Sequence, residues 1–208
     1  MNLCAWVSVV ATAALLGFAW RGARRGEWVA KPIAALGFVG SAWQHGALDT
    51  AYGAWVLAAL VASMGGDVAL IPRTPRTFLA GLGLFLLGHL LYACAFVARG
   101  ASPGAAALAL LPLSIVLALV ARWLMPRVPA RMKAPVAAYM VVITAMVALA
   151  VGTVAARGDA RIVVAAVAFY VSDLSVARDR FVQQGFSNKL WGWPLYFGAQ
   201  LVFAATVG

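Results

Sequence analysis

Long apolar stretches, broken only by short polar clusters, leave this chain few folds to choose from. Each is close to the roughly 20 residues that a helix needs to cross the hydrocarbon core of a bilayer. Eight can be marked, over residues 3–20, 29–43, 50–71, 78–97, 104–124, 136–156, 162–177 and 191–207, of which the second and seventh are short. Strand-like alternation is absent, and lipid cannot satisfy an exposed backbone, so the stretches are expected to be helices. Composition agrees: 64% of the 208 residues are hydrophobic and 11% are charged, against about 25% charged in a soluble domain. A soluble globule of this size could not hide that much apolar surface. The expectation is an all-α polytopic membrane protein with eight transmembrane helices, forming a single integral membrane domain over residues 1–208.

The net charge of +10 would point to nucleic acid in a soluble chain. Its placement points elsewhere. Thirteen of the 16 Lys and Arg residues fall in the loops after spans 1, 3, 5 and 7, and only Arg99, Arg157 and Arg161 fall on the other side. This asymmetry obeys the positive-inside rule. It puts the four basic loops in the cytoplasm and both termini outside, as in a bacterial-type inner membrane, and it removes nucleic acid as a partner. Arg21, Arg24 and Arg25 follow the first apolar run instead of preceding it, which reads as a retained helix and not a signal peptide. A weak internal repeat relates Lys31-Pro32 to Lys133 and Pro135, Asp67 to Asp173, and Tyr92 to Tyr196, at offsets between 102 and 106 residues. It would make a 4+4 parallel repeat, with an axis along the membrane normal. Cys4 and Cys94 lie in apolar runs and are expected to be buried thiols, since neither fits a metal or redox spacing.

Six acidic residues are present. Glu27, Asp49 and Asp159 fall in loops and Asp179 beside arginines at a helix end, where solvation and local ion pairing account for them. Asp67 and Asp173 sit inside spans. An ionisable group in hydrocarbon costs about 2.5–3.5 kcal/mol on insertion scales, so such a residue faces the bundle interior or a cavity. It could still be no more than an interhelical staple. His89 is the one histidine within a span, and Phe85, His89 and Tyr92 share a helix face at i, i+4 and i+7, flanked by Gly81 and Gly88 for close helix approach. Tyr196 and Gln200 make a second i, i+4 pair. With the charge-derived topology, Lys31, Asp67, Asp173, Tyr196 and Gln200 all fall in the cytoplasmic half, with His89 and Tyr92 beneath them. A polar pocket in that half is the simplest account. GxSxG, HExxH and phosphate-binding glycine loops are missing from the sequence, so no metal site is expected.

These residues also carry a family pattern. The stretch SMGGDVALIPRTPRTFLAGLGLFLLGHLLYACAF over 63–96 resembles the GD…F..G…F…H..Y core of the YhhN-like family, the lysoplasmalogenases. FYVSDLSVARDRF over 169–181 is similar to its SD…RF element, YFGAQL over 196–201 to its Y..AQ element, and Lys31-Pro32 to its KP. The departure is the extra Pro and Arg content of IPRTPR after Asp67, which should alter only the loop. The resemblance implies an integral membrane hydrolase that cleaves the vinyl ether bond of lysoplasmalogens to a fatty aldehyde and glycerophosphoethanolamine or glycerophosphocholine, without a cofactor. The substrate would be a lysophospholipid met among other membrane lipids.

Vinyl ether hydrolysis begins with protonation of the β-carbon and leaves an oxocarbenium ion that water then attacks. Two carboxyls in different environments can divide the roles of acid and anion, as they do at glycosidic acetals. Asp67 and Asp173 are the expected pair, with their roles open. His89, Tyr92, Tyr196 and Gln200 would orient the carboxyls or water, Phe85 would contact substrate, and Lys31 would meet the lipid phosphate. The competing reading is a non-enzymatic lipid transporter or lipid-binding membrane protein, favoured by the repeat. It is disfavoured by polar groups gathered in one leaflet and by the lack of paired Gly/Pro helix breaks.

Overall fold

The computed structural model describes residues 2–208. Among them are eight α-helices: α1 (Leu3–Trp20), α2 (Arg24–Gln44), α3 (Ala51–Leu70), α4 (Pro75–Ala98), α5 (Pro103–Leu124), α6 (Ala130–Arg157), α7 (Arg161–Phe181) and α8 (Phe186–Ala204). A 3-10 turn (Met125–Arg127) follows α5. The starts are written in the sequence. Thr74 and Thr77 form a capping box with Pro75 in the first turn of α4, and Ser102 caps α5 ahead of Pro103. These satisfy backbone N–H groups that a helix leaves orphaned.

Five helices, α1, α3, α4, α5 and α6, are long and apolar enough to cross a membrane. This is a helical membrane protein. Helices α2, α7 and α8 have the length but carry more polar residues. Three of the apolar stretches proved to be the inner parts of longer helices. Helix α2 begins at Arg24 and not residue 29, α6 at Ala130 and not residue 136, and α8 at Phe186 and not residue 191. Their first turns are polar, and hydropathy locates where lipid begins, not where a helix does.

Sequence neighbours pack as hairpins, α1 with α2, α3 with α4, α5 with α6 and α7 with α8. Helix α2 also packs on α3 and α8, and α6 on α7 and α4. Small residues let the backbones approach. A Cβ on Gly88 would come within 2.9 Å of the Ser63 hydroxyl on α3, and one on Gly192 within 2.6 Å of the Ser175 Cβ on α7. Helix α5 is the least enclosed, with Leu108, Leu111, Ile115 and Leu119 exposed. Cys94 lies on the exposed face of α4 and Cys4 is partly covered, so neither is the buried thiol expected. Cys94 points away from the packed side of α4, whereas Cys4 lies at the seam with α2, where a Cβ on Gly40 would come within 2.9 Å of its Sγ.

The chain ends lie at one end of the bundle, where Asn2 reaches His45 and Arg99 donates to the Thr206 carbonyl at 2.8 Å. Asp159 is paired there with Arg161 and Arg99 at 2.9 and 3.3 Å. The Arg161 guanidinium bonded to it holds its carboxyl below the usual carboxylate range, against a smaller opposing effect of burial. The opposite, basic end carries the loops after α1, α3, α5 and α7.

Candidate functional site

A cavity of about 480 Å³ opens among the helices at the basic end. Its walls divide by chemistry. Apolar residues of α4, α5 and α6, including Leu82, Val120 and Ile143, make one side. The other is polar and comes from α2, α3, α7 and α8 with Lys31, Asp67, Asp173 and Tyr196. The three helices too polar to qualify as spans on their own thus supply most of the polar wall.

Asp67 is buried, with 2% of its side chain exposed, and is fully paired. The Lys31 ammonium lies 3.0 Å from Oδ1 and also donates to the Asp67 carbonyl at 3.2 Å, while the Tyr196 hydroxyl donates to Oδ2 at 2.6 Å. A cation and a hydroxyl on the two oxygens favour the ionised carboxylate. Lys31 is itself buried. It is spent on Asp67 and does not stand free at the interface, as the sequence reading had it. The reason is geometric: Lys31 falls about two turns inside α2, because that helix starts seven residues earlier, at Arg24.

Asp173 is bound differently. The Tyr139 hydroxyl donates to Oδ2 at 2.6 Å, and His89 Nε2 lies 3.5 Å from the same oxygen. No Lys or Arg pairs with it among the described residues, and its side chain is 17% exposed to the cavity. His89 Nδ1 is 2.5 Å from the Phe85 carbonyl. A carbonyl can only accept, so Nδ1 carries a proton. In the neutral ring Nε2 is then a bare acceptor beside a carboxyl oxygen, and a proton on either group would let the two bond. Nε2 is buried and makes no hydrogen bond.

Tyr196 and Phe85 line the cavity with the two carboxyls. Phe85 stands edge-on to Tyr196 at 5.7 Å. His89, Tyr92 and Gln200 do not reach the cavity and are fully buried behind it. Tyr92 donates to Gln200 Oε1 at 2.5 Å and packs on Phe203 at 4.2 Å. They form the layer on which the site rests, with Phe169 stacked between His89 and Tyr196 at 4.5 and 5.4 Å.

Tyr139 escaped the sequence reading because a single tyrosine in an apolar span looks like packing. Its signal was its depth: four residues beyond Pro135 in α6, level with an acid about two turns from the end of its own helix. Glu27 was placed in a loop with local partners. It lies on α2 and pairs across the fold with Arg73 at 3.0 Å and Lys189 at 3.3 Å. Among the described residues no group of three or more His, Cys, Asp or Glu side chains is placed to hold a metal ion.

The chain is related to known proteins. The profile of the YhhN family matches residues 26–207. The chain belongs to the YhhN family. Among YhhN relatives, the protein named "Uncharacterized membrane protein YhhN" from Escherichia coli O6:H1 is 38% identical over 98 residues, which is 47% of this chain and 42% of that protein. Proteins of the same name from Escherichia coli O157:H7 and Shigella flexneri match with the same figures. The match thus takes in under half the length of these YhhN relatives. No solved structure matches the chain.

Proposed function

We propose that this YhhN protein hydrolyses the vinyl ether bond of lysoplasmalogens. The observation that carries the reading is the contrast between two carboxyls in one amphipathic cavity: Asp67 is paired with a buried cation and Asp173 is not. Asp173, with no cation to hold it ionised, is the acid. Asp67, held ionised by Lys31, is the anion. The apolar wall accepts one hydrocarbon chain.

The reaction then runs in three balanced steps. The proton of Asp173 adds to the β-carbon, the double-bond electrons forming the new C–H bond. The α-carbon becomes an oxocarbenium ion stabilised by the Asp67 carboxylate. Water oriented by Asp67 adds to that carbon and its proton returns to Asp173. The hemiacetal then collapses: its hydroxyl proton passes to the glycerol oxygen as the carbon–oxygen bond to glycerol breaks, and the aldehyde leaves. Tyr139 and Tyr196 hold the two carboxyls. His89, Tyr92 and Gln200 act through those groups as positioning residues.

The charge pattern supports eight membrane crossings with the cavity toward the cytoplasm of a bacterial inner membrane and both termini outside. The matching neighbours of α2 and α6 support the 4+4 repeat. The deciding experiment incubates the detergent-purified protein with 1-alkenyl, 1-acyl and diacyl glycerophospholipids. Aldehyde release from the 1-alkenyl lipid alone is expected. Its absence, or release undiminished in Asp173→Asn, overturns the reading.

A further inference from the structure

The cavity mouth holds more positive charge than the protein neutralises. Arg73, Arg180 and Lys189 all line it. Glu27 is shared between Arg73 and Lys189. Asp179 is occupied in the turn between α7 and α8, accepting from the Gly185 N–H at 2.9 Å and the Asn188 amide at 3.0 Å. Arg180 has no hydrogen bond or ion pair to any described residue; its guanidinium lies 4.6 Å over the Phe78 ring. Lys189 is likewise seated over Trp193 at 5.1 Å. The aromatic face holds the Arg180 head in place while leaving its N–H donors unspent, and Lys189 spends donors on Glu27 alone. Arg73 takes a left-handed backbone conformation, with φ 59°, which an L side chain rarely adopts. That bend turns the chain between α3 and α4 and presents its guanidinium to the mouth.

We infer that Arg180, Arg73 and Lys189 form a subsite for the phosphate diester of a single-chain glycerophospholipid. The inference rests on the hydrolase reading only for which bond lies at the carboxyls. Spacing supports it. Arg180 is seven residues beyond Asp173 on α7, and Lys189 seven residues before Tyr196 on α8, two turns or about 10.5 Å in each case. Seven bonds separate the β-carbon of a 1-alkenyl glycerophospholipid from its phosphorus. Three extended backbone bonds span about 3.5 Å, so seven span roughly 8 Å. A phosphate on the cations therefore brings the alkenyl carbon to the level of Asp173, with the chain against Leu82, Val120 and Ile143.

The requirement can be tested without turnover. The detergent-purified full chain is titrated by calorimetry with 1-acyl glycerophosphocholine and with 1-acylglycerol of the same chain length. Arg180→Gln is expected to weaken binding of the phosphate lipid at least tenfold and to change that of 1-acylglycerol less than twofold. Arg180→Lys should retain most of the affinity, which separates loss of charge from loss of fold. Equal weakening for both lipids, or for neither, overturns the subsite. Inorganic phosphate binding as tightly as the phospholipid overturns the lipid assignment. Absent aldehyde release with this binding contrast intact would sink the hydrolase reading alone. Aldehyde release without the contrast would sink the subsite alone.

Discussion

Asp67 lies about one turn from the end of α3 and Asp173 about two turns from the end of α7, both toward the basic end, yet the fold treats them in opposite ways. Asp67 receives the ammonium of Lys31 and the hydroxyl of Tyr196, and is sealed from the cavity except for a sliver of surface. Asp173 receives one hydroxyl, faces a histidine nitrogen that has no other partner, and stays open to the cavity. Lys133, which the proposed repeat aligns with Lys31, is exposed and joins no ion pair among the described residues. A shared ancestral pattern would have given two similar acids. One lysine facing in and the other facing out is enough to make them chemically distinct.

The contrast is open to attack by mutation, beginning with its largest expected effect. Asp173→Asn should lower kcat for aldehyde release by about 10²–10⁴-fold, the usual worth of a general acid, with thermal unfolding close to wild type because no cation is stranded. Asp67→Asn should damage both properties. Removing one partner of a buried ion pair costs about 3–5 kcal/mol, seen as a lowered unfolding midpoint in detergent. Lys31→Met combined with Asp67→Asn should recover that midpoint but not the activity. If instead Asp173→Asn is the unstable variant and Asp67→Asn the stable one, the two roles are reversed.

Finer tests address the hydroxyls and the repeat. Tyr139→Phe removes a hydrogen bond to a carboxyl, worth about 1.5–3 kcal/mol when the acceptor is charged, so a fall of roughly tenfold or more in kcat is expected with KM little changed. The same change at Tyr196 should lower stability as well, since Asp67 is buried and loses a donor. Lys133→Ala should leave aldehyde release within twofold of wild type and the unfolding midpoint unmoved. A large loss there would mean that the two halves are more alike than their side chains indicate.

How much of this could be read from the chain depends on what kind of signal each residue gives. Asp67 and Asp173 were legible because an acid in an apolar run is expensive and needs a reason. Phe85 and Tyr196 followed from helical spacing beside them, and both line the cavity. His89, Tyr92 and Gln200 were placed in the right region but one layer too far forward, because spacing fixes a helix face and not what stands in front of it. Tyr139 and the Glu27 contacts were not legible, since they depend on α6 meeting α7 and on α2 meeting the ends of α3 and α8. Such pairings, 34 to 162 residues apart, leave no mark in local pattern. The helix starts at Arg24 and Phe186 were hidden for a related reason, as polar first turns look like loop.

The division between five strongly apolar helices and three weaker ones also bears on how the molecule is made. A helix carrying several ionisable residues partitions poorly by itself, at about 2.5–3.5 kcal/mol for each one near the centre. Helices α7 and α8 follow the other six along the chain, next to each other, and neither meets the apolar standard reached by α3 to α6. Asp173 and Tyr196 find their partners on α6 and α3, helices that precede them. On the eight-crossing reading, the hairpin that completes the cavity would be admitted to the bilayer by the company it keeps, and the cavity would form only once those earlier helices are present to receive it.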